Sequence, residues 1–169
     1  PIAVFLGLEY MQPRNIAIIL VLIISLKYLV SRHKTNVKEP HRNLAIFVGG
    51  IILIISAISN SVTSLKVYPV AINFTLLFVF AYSIIFPPST IERIARITEP
   101  ELSLSGVHYT RNVTLVWCMF FLLNGLFSLY TAIYSSIEFW TLYNGLISYI
   151  LVGTLFGSEL FYRKLFLKK

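Results

Sequence analysis

Residues 112–137, NVTLVWCMFFLLNGLFSLYTAIYSSI, form one run without a single charged side chain. A bilayer core is about 30 Å thick, and about 20 helical residues cross it. Three more uncharged stretches lie at 43–65, 67–91 and 139–158. They do not alternate with period two and are too long for barrel strands. Backbone polar groups in lipid must then be satisfied within helices. The expected fold is therefore an all-α membrane protein, a single transmembrane domain over 1–169.

Working outward gives six spans at about 1–8, 16–30, 44–58, 68–86, 112–134 and 140–161. The chain opens inside an apolar run, Ile2 to Leu8, which reads as the second half of a first span whose start is missing. Between Pro87-Pro88 and Pro100 the pattern changes. Ser89 and Glu92 fit a capping box, with Ser89 accepting from the backbone and Glu92 reaching back. Ile91, Ile94, Ala95 and Ile97 share one helical face, and Arg93 and Arg96 another. A helix over 89–99 is too short to span, so it is expected to lie in the cytoplasmic membrane surface.

Of the 169 residues, 57% are hydrophobic and 12% charged, and the charges cluster between the apolar blocks. The net charge of +7 would point a soluble chain toward nucleic acid. Here the basic residues flank spans, where topology and anionic headgroups account for them, so nucleic acid is set aside. Eleven Lys and Arg fall in 31–43, 87–111 and 163–169, against Arg14 and Lys66 in the alternate loops. The positive-inside rule puts the basic loops and both termini in the cytoplasm.

No catalytic constellation is apparent. The chain has no Asp, and His33, His41 and His108 lie in loops without partners at metal spacing. The one cysteine, Cys118, sits mid-span and reads as a small buried apolar residue. Neither cofactor nor metal is expected. Chemistry, if any, rests with polar residues inside spans, because an unpaired amide in hydrocarbon is costly and must face a helix or a polar cavity. These are Asn73, Asn124, Tyr143 and Asn144, with Glu159 and Arg163 at a span edge. They serve either as interhelical hydrogen-bonding groups or as the lining of a ligand site. Glu159 and Arg163, four residues apart, are expected to pair. Gly153 and Gly157 form a small-xxx-small pair that lets another helix, of this chain or a second copy, approach. Trp140 and several Tyr residues near span ends suit an interfacial belt. The Asn-Gly pairs at 124 and 144 repeat after twenty residues; chance is enough to explain them.

An ordered set of motifs runs through the later two thirds. It comprises Tyr68-Pro69-Val70-Ala71-Ile72-Asn73, Phe86-Pro87-Pro88-Ser89-Thr90-Ile91-Glu92-Arg93 and Glu99-Pro100-Glu101-Leu102. Tyr109-Thr110-Arg111, Val116-Trp117, Phe120-Phe121, Asn124-Gly125, Trp140, Leu142-Tyr143-Asn144-Gly145 and Gly157-Ser158-Glu159 follow. This set resembles a group of small bacterial inner-membrane proteins often encoded with aryl-polyene or xanthomonadin pigment biosynthesis genes. That group is in turn similar to the intracellular septation protein A family. The resemblance covers residues 66–163, and residues 1–60 only by hydropathy and by Pro1 to Gly7. It implies a role in the cell envelope and carries no residue-level catalytic assignment.

Two readings follow. One is a non-enzymatic scaffold or accessory subunit for envelope-lipid or aryl-polyene synthesis, docking enzymes on Arg93, Arg96 and Arg111. The other is a lipid or polyene-lipid binding or flippase-like bundle lined by the six polar residues. An intramembrane enzyme is a distant third, with Glu159 as its sole base.

Overall fold

The computed structural model describes residues 1–32, 50–51 and 54–166, and their regular structure is entirely helical. Helix α1 (Ile2–Tyr10) is followed by α2 (Pro13–Arg32). Pro13 suits the first helical position, where a missing N–H costs nothing. Of the third expected span, residues 44–49 and 52–53 lie outside the described residues. Residues 54–59 are helical. That helix stops at Asn60, whose φ of 47° is left-handed, a conformation asparagine tolerates at helix ends. Asn60 also accepts from the Arg14 backbone at 3.0 Å, while Arg14 Nε donates to the Ala57 carbonyl at 3.0 Å. One arginine thus ties the α1–α2 turn to this helix end.

A short α3 (Val62–Lys66) runs through a turn at Val67 into α4 (Tyr68–Ile85). The chain is already helical from Val62, ahead of the expected span at 68–86. Next come α5 (Thr90–Thr98), α6 (Leu104–Tyr134), α7 (Ile137–Leu142), a π-helical turn (Tyr143–Ile147) and α8 (Ser148–Phe166). Ser103 and Ser136 cap α6 and α7 by accepting from Gly106 N and Phe139 N. These caps start both helices earlier than the expected spans. Helix α6 reaches 31 residues, about 46 Å at about 1.5 Å per residue. Three helical stretches, Val62–Ile85, Leu104–Tyr134 and Ile137–Arg163, are long and apolar enough to cross a membrane.

The packing is inside-out relative to a water-soluble bundle. Along α6, Thr110, Thr114, Trp117, Phe121, Asn124, Ser128 and Thr131 are buried. Their spacing alternates four and three, the seam of a coiled-coil contact. Yet most of them are polar, whereas Leu115, Val116, Met119, Leu123 and Leu126 on the outer faces are exposed. Water would reverse this arrangement. Lipid permits it, because association there relies on close packing and hydrogen bonds, not on hiding leucines.

Helix α4 packs chiefly on this seam. At one end Phe80 sits among Trp117 and Phe121, with ring centroids 6.3 and 5.1 Å away. At the other end, Val4, Ile16, Ala17, Leu65, Ala132 and Trp140 form the buried apolar core where α1, α2, α3, α6 and α7 meet. Trp140 is 0% exposed. It is a core residue and not part of a headgroup belt, because its indole N–H finds the Lys66 carbonyl at 3.0 Å inside the protein. Lys66 Nζ in turn donates to the Ser135 carbonyl at 2.8 Å, so one lysine bridges two helix ends.

Helix α5 is anchored through its first turn. Thr90 N and Thr90 Oγ1 both donate to Ser83 Oγ, at 2.9 and 2.8 Å. Ile91 N points to Thr114 Oγ1 at 3.4 Å, and Glu92 N to Ser89 Oγ at 3.3 Å. Three amide groups that a helix start leaves orphaned are thereby met by three hydroxyls. The reach-back half of the capping box does not form. The Glu92 carboxylate instead pairs with Arg96 at 2.8 Å, the only ion pair among the described residues. Ser83→Ala strips both Thr90 donors of their acceptor and is expected to cost about 1–3 kcal/mol. Hydrogen exchange over 90–98 is the check: faster exchange there, with α4 and α6 unchanged, is the predicted result.

Candidate functional site

The polar residues singled out from the sequence do converge, but in two separate sets. The first centres on Asn124, which is buried and near the middle of α6. Its amide nitrogen donates to Asn73 Oδ1 on α4 and to Ser148 Oγ on α8, both at 2.9 Å. Its carbonyl accepts from Tyr143 Oη at 2.8 Å. The Asn73 amide closes back on the Pro69 carbonyl at 2.8 Å. Asn124 thus joins three helical elements, with both N–H groups and its oxygen engaged.

The second set lies closer to the α6–α7 turn. Asn144 Nδ2 donates to Thr131 Oγ1 on α6 and to the Trp140 carbonyl, each at 3.0 Å. Thr131 Oγ1 passes its own proton to the Ser128 carbonyl at 2.9 Å. The π turn makes both sets reachable at once. Ser148 N bonds the Tyr143 carbonyl, five residues back, which widens the helix at this point. Adjacent residues on an α-helix diverge by about 100°. Here Tyr143 and Asn144 are both buried and bond to Asn124 and Thr131, two turns apart on the same stripe of α6.

Glycine sets the depth of contact. A Cβ added to Gly125 would sit 3.2 Å from Asn73 Cβ and 3.4 Å from the Phe74 ring. The α4–α6 approach at the Asn73–Asn124 bond therefore depends on it. Gly145 is similarly close to Ile2, at 3.1 Å. Both Asn-Gly pairs thus have packing reasons, although the two spans place them in different surroundings. Gly125→Val is expected to spread α4 from α6 and cost about 1–3 kcal/mol. Its signature is loss of coupling in an Asn73/Asn124 double-mutant cycle.

Glu159 and Arg163 belong to neither set. Glu159 is fifteen residues beyond Asn144, about 22 Å along the helix. It forms no ion pair with Arg163 among the described residues and lies instead beside Tyr109, whose ring stacks on Tyr162 at 5.8 Å. The six candidates therefore do not line one patch. Gly153 and Gly157 are exposed, and no described side chain occupies the space above them. Of the three arginines expected to meet a partner, Arg93 and Arg111 are exposed. Arg93 Nε holds the Pro88 carbonyl at 2.9 Å, while Arg96 is occupied by Glu92 and the Pro100 carbonyl.

Sequence reasoning missed Ser83, Thr114, Ser128 and Thr131. In a water-soluble reading they are ordinary helix-surface residues. Their four-and-three spacing along α6, shared with Trp117, Phe121 and Asn124, is the signal that would have found three of them. Among the described residues no group of His, Cys, Asp and Glu could hold a metal ion. The chain matches no protein-family model, no curated protein and no solved structure.

Proposed function

We propose that this chain is a non-enzymatic, multi-pass protein of a bacterial inner membrane, a scaffold or accessory subunit for envelope-lipid or aryl-polyene synthesis. The observation that carries the reading is the closure of the Asn124 set. An amide whose two N–H groups are both spent on neighbouring helices, and whose oxygen already accepts from a third element, holds the bundle together and has no donor left for a substrate. The six-span topology with cytoplasmic termini accompanies this reading, supported by the distribution of Lys and Arg. The motif resemblance to pigment-cluster and septation-type membrane proteins supports the cellular setting.

In this reading α5 is the contact element for a cytoplasmic partner. Anchored by Ser83 and Thr114, it holds exposed Ile94 and Ile97 beside Arg93. Anionic headgroups meet the basic loops. Affinity purification from native membranes in a mild detergent tests the idea. Recovery of a biosynthetic enzyme is expected, and Arg93→Gln with Arg111→Gln is expected to reduce it about tenfold, the equivalent of about 1.4 kcal/mol of rim charge. Recovery of the protein alone would count heavily against the scaffold. The carrier reading keeps one foothold, the oxygen of Asn144, which the bundle leaves unpaired.

A further inference from the structure

Four side chains meet where the start of α6 passes the end of α8. Tyr109 of α6 stacks on Tyr162 of α8, with ring centroids 5.8 Å apart and planes within 10°. Tyr109 donates to the Glu159 carboxylate, and the charge of Arg163 reaches the same tyrosine. All four fall outside the charge-free stretches 112–137 and 139–158. They therefore stand at headgroup depth, where hydrocarbon gives way to water.

The cluster leaves two opposite charges unspent. A carboxylate offers about four acceptor sites, and Tyr109 takes one. Glu159 and Arg163 do not pair, and neither has another ionic partner among the described residues. Arg163 is exposed and Glu159 half-buried, so a molecule at the lipid–water boundary can reach both. Their separation along the helix is about 6 Å. A ligand that answers both carries a cation and an anion a few bonds apart. The tyrosines favour the cation, because an ammonium over an aromatic face is attracted to the ring, and Tyr162 is 49% exposed. The carboxylate favours a cation with N–H groups to donate, which a quaternary ammonium lacks.

We infer that Glu159, Tyr162 and Arg163 bind the headgroup of an ethanolamine phospholipid, its primary ammonium on Glu159 and its phosphodiester on Arg163. A lipid fits better than the free headgroup because α8 runs directly from this cluster into its charge-free stretch. Phe156 lies one turn deeper than Glu159 on the same side of the helix and is exposed, as is Leu160. Acyl chains can run down α8 along these two side chains with the headgroup held above. The assignment goes beyond the scaffold reading and does not depend on it.

The test uses the full chain in nanodiscs holding equal parts of dioleoyl phosphatidylethanolamine, phosphatidylcholine and phosphatidylglycerol, followed by native mass spectrometry of the released protein. One ethanolamine lipid is expected to stay bound, preferred about fivefold over either of the others, the equivalent of about 1 kcal/mol. Glu159→Gln should erase that preference and leave the retention of phosphatidylglycerol unchanged, which a misfolded variant would not do. Arg163→Gln, at an exposed position, should lower retention of the ethanolamine lipid as well. Glycerophosphoethanolamine, the same headgroup without chains, should not displace it. Equal retention of the three lipids, or a preference that survives Glu159→Gln, would overturn the proposal. Displacement by the chain-free compound would overturn the assignment to a lipid. None of these readouts involves a protein partner, so the scaffold reading stands or falls separately.

Discussion

Trp140→Ala lowers the unfolding free energy by about 3–5 kcal/mol, the range for emptying a buried tryptophan site. Trp140 has no exposed surface and lies among Val4, Ile16, Ala17, Leu65 and Ala132. Tyr68 meets it edge-on, with ring centroids 6.1 Å apart at 79°. Its indole also occupies the Lys66 carbonyl. Trp140→Phe separates the two contributions. It keeps most of the apolar area and leaves one backbone carbonyl unpaired, so about 1–2 kcal/mol is expected. Unfolding in mixed micelles, followed by the remaining Trp117 fluorescence, measures both. A change below about 1 kcal/mol for the alanine variant would return Trp140 to a headgroup belt.

Asn124→Leu comes next, at about 2–3 kcal/mol. Leucine is close in size, so the loss is chiefly three hydrogen bonds of about 1 kcal/mol each in lipid. Asn73 Oδ1, Ser148 Oγ and Tyr143 Oη would all lose their partner. Tyr143→Phe removes one bond and should cost about 1 kcal/mol. In the double variant most of that increment should vanish, because the two side chains share the bond. Strict additivity would mean that the Asn124–Tyr143 contact carries no energy.

How far the sequence alone led depends on which physical signal each feature leaves. Length and apolarity reveal the helices that can cross a membrane, because the thickness of oil is a property of the solvent and not of the chain. Asn73, Asn124, Tyr143 and Asn144 stood out because an amide or phenol in such a run is costly unless paired. Their partition into two sets was not legible, since it depends on the π turn, for which Tyr143–Ile147 has no local signature. The Ser89 cap is legible from its spacing to Glu92, but that spacing does not show that Arg96, one turn on, takes the carboxylate. Proximity to a span end suggests a headgroup belt for Trp140 but says nothing about which way an indole faces. The Lys66 carbonyl that holds it is 74 residues away in sequence.

Helix α6 is about half as long again as the hydrocarbon layer is thick. Leaning alone would need a slope of about 49°, steeper than membrane helices adopt. Some of it must emerge, and the charge-bearing stub is the end beginning at Leu104, where His108 and Arg111 lie. At the steepest lean that membrane helices adopt, about five residues at that end, Leu104 to His108, would still clear the hydrocarbon. In a bilayer that stub would be open to a water-soluble visitor that never touches fat.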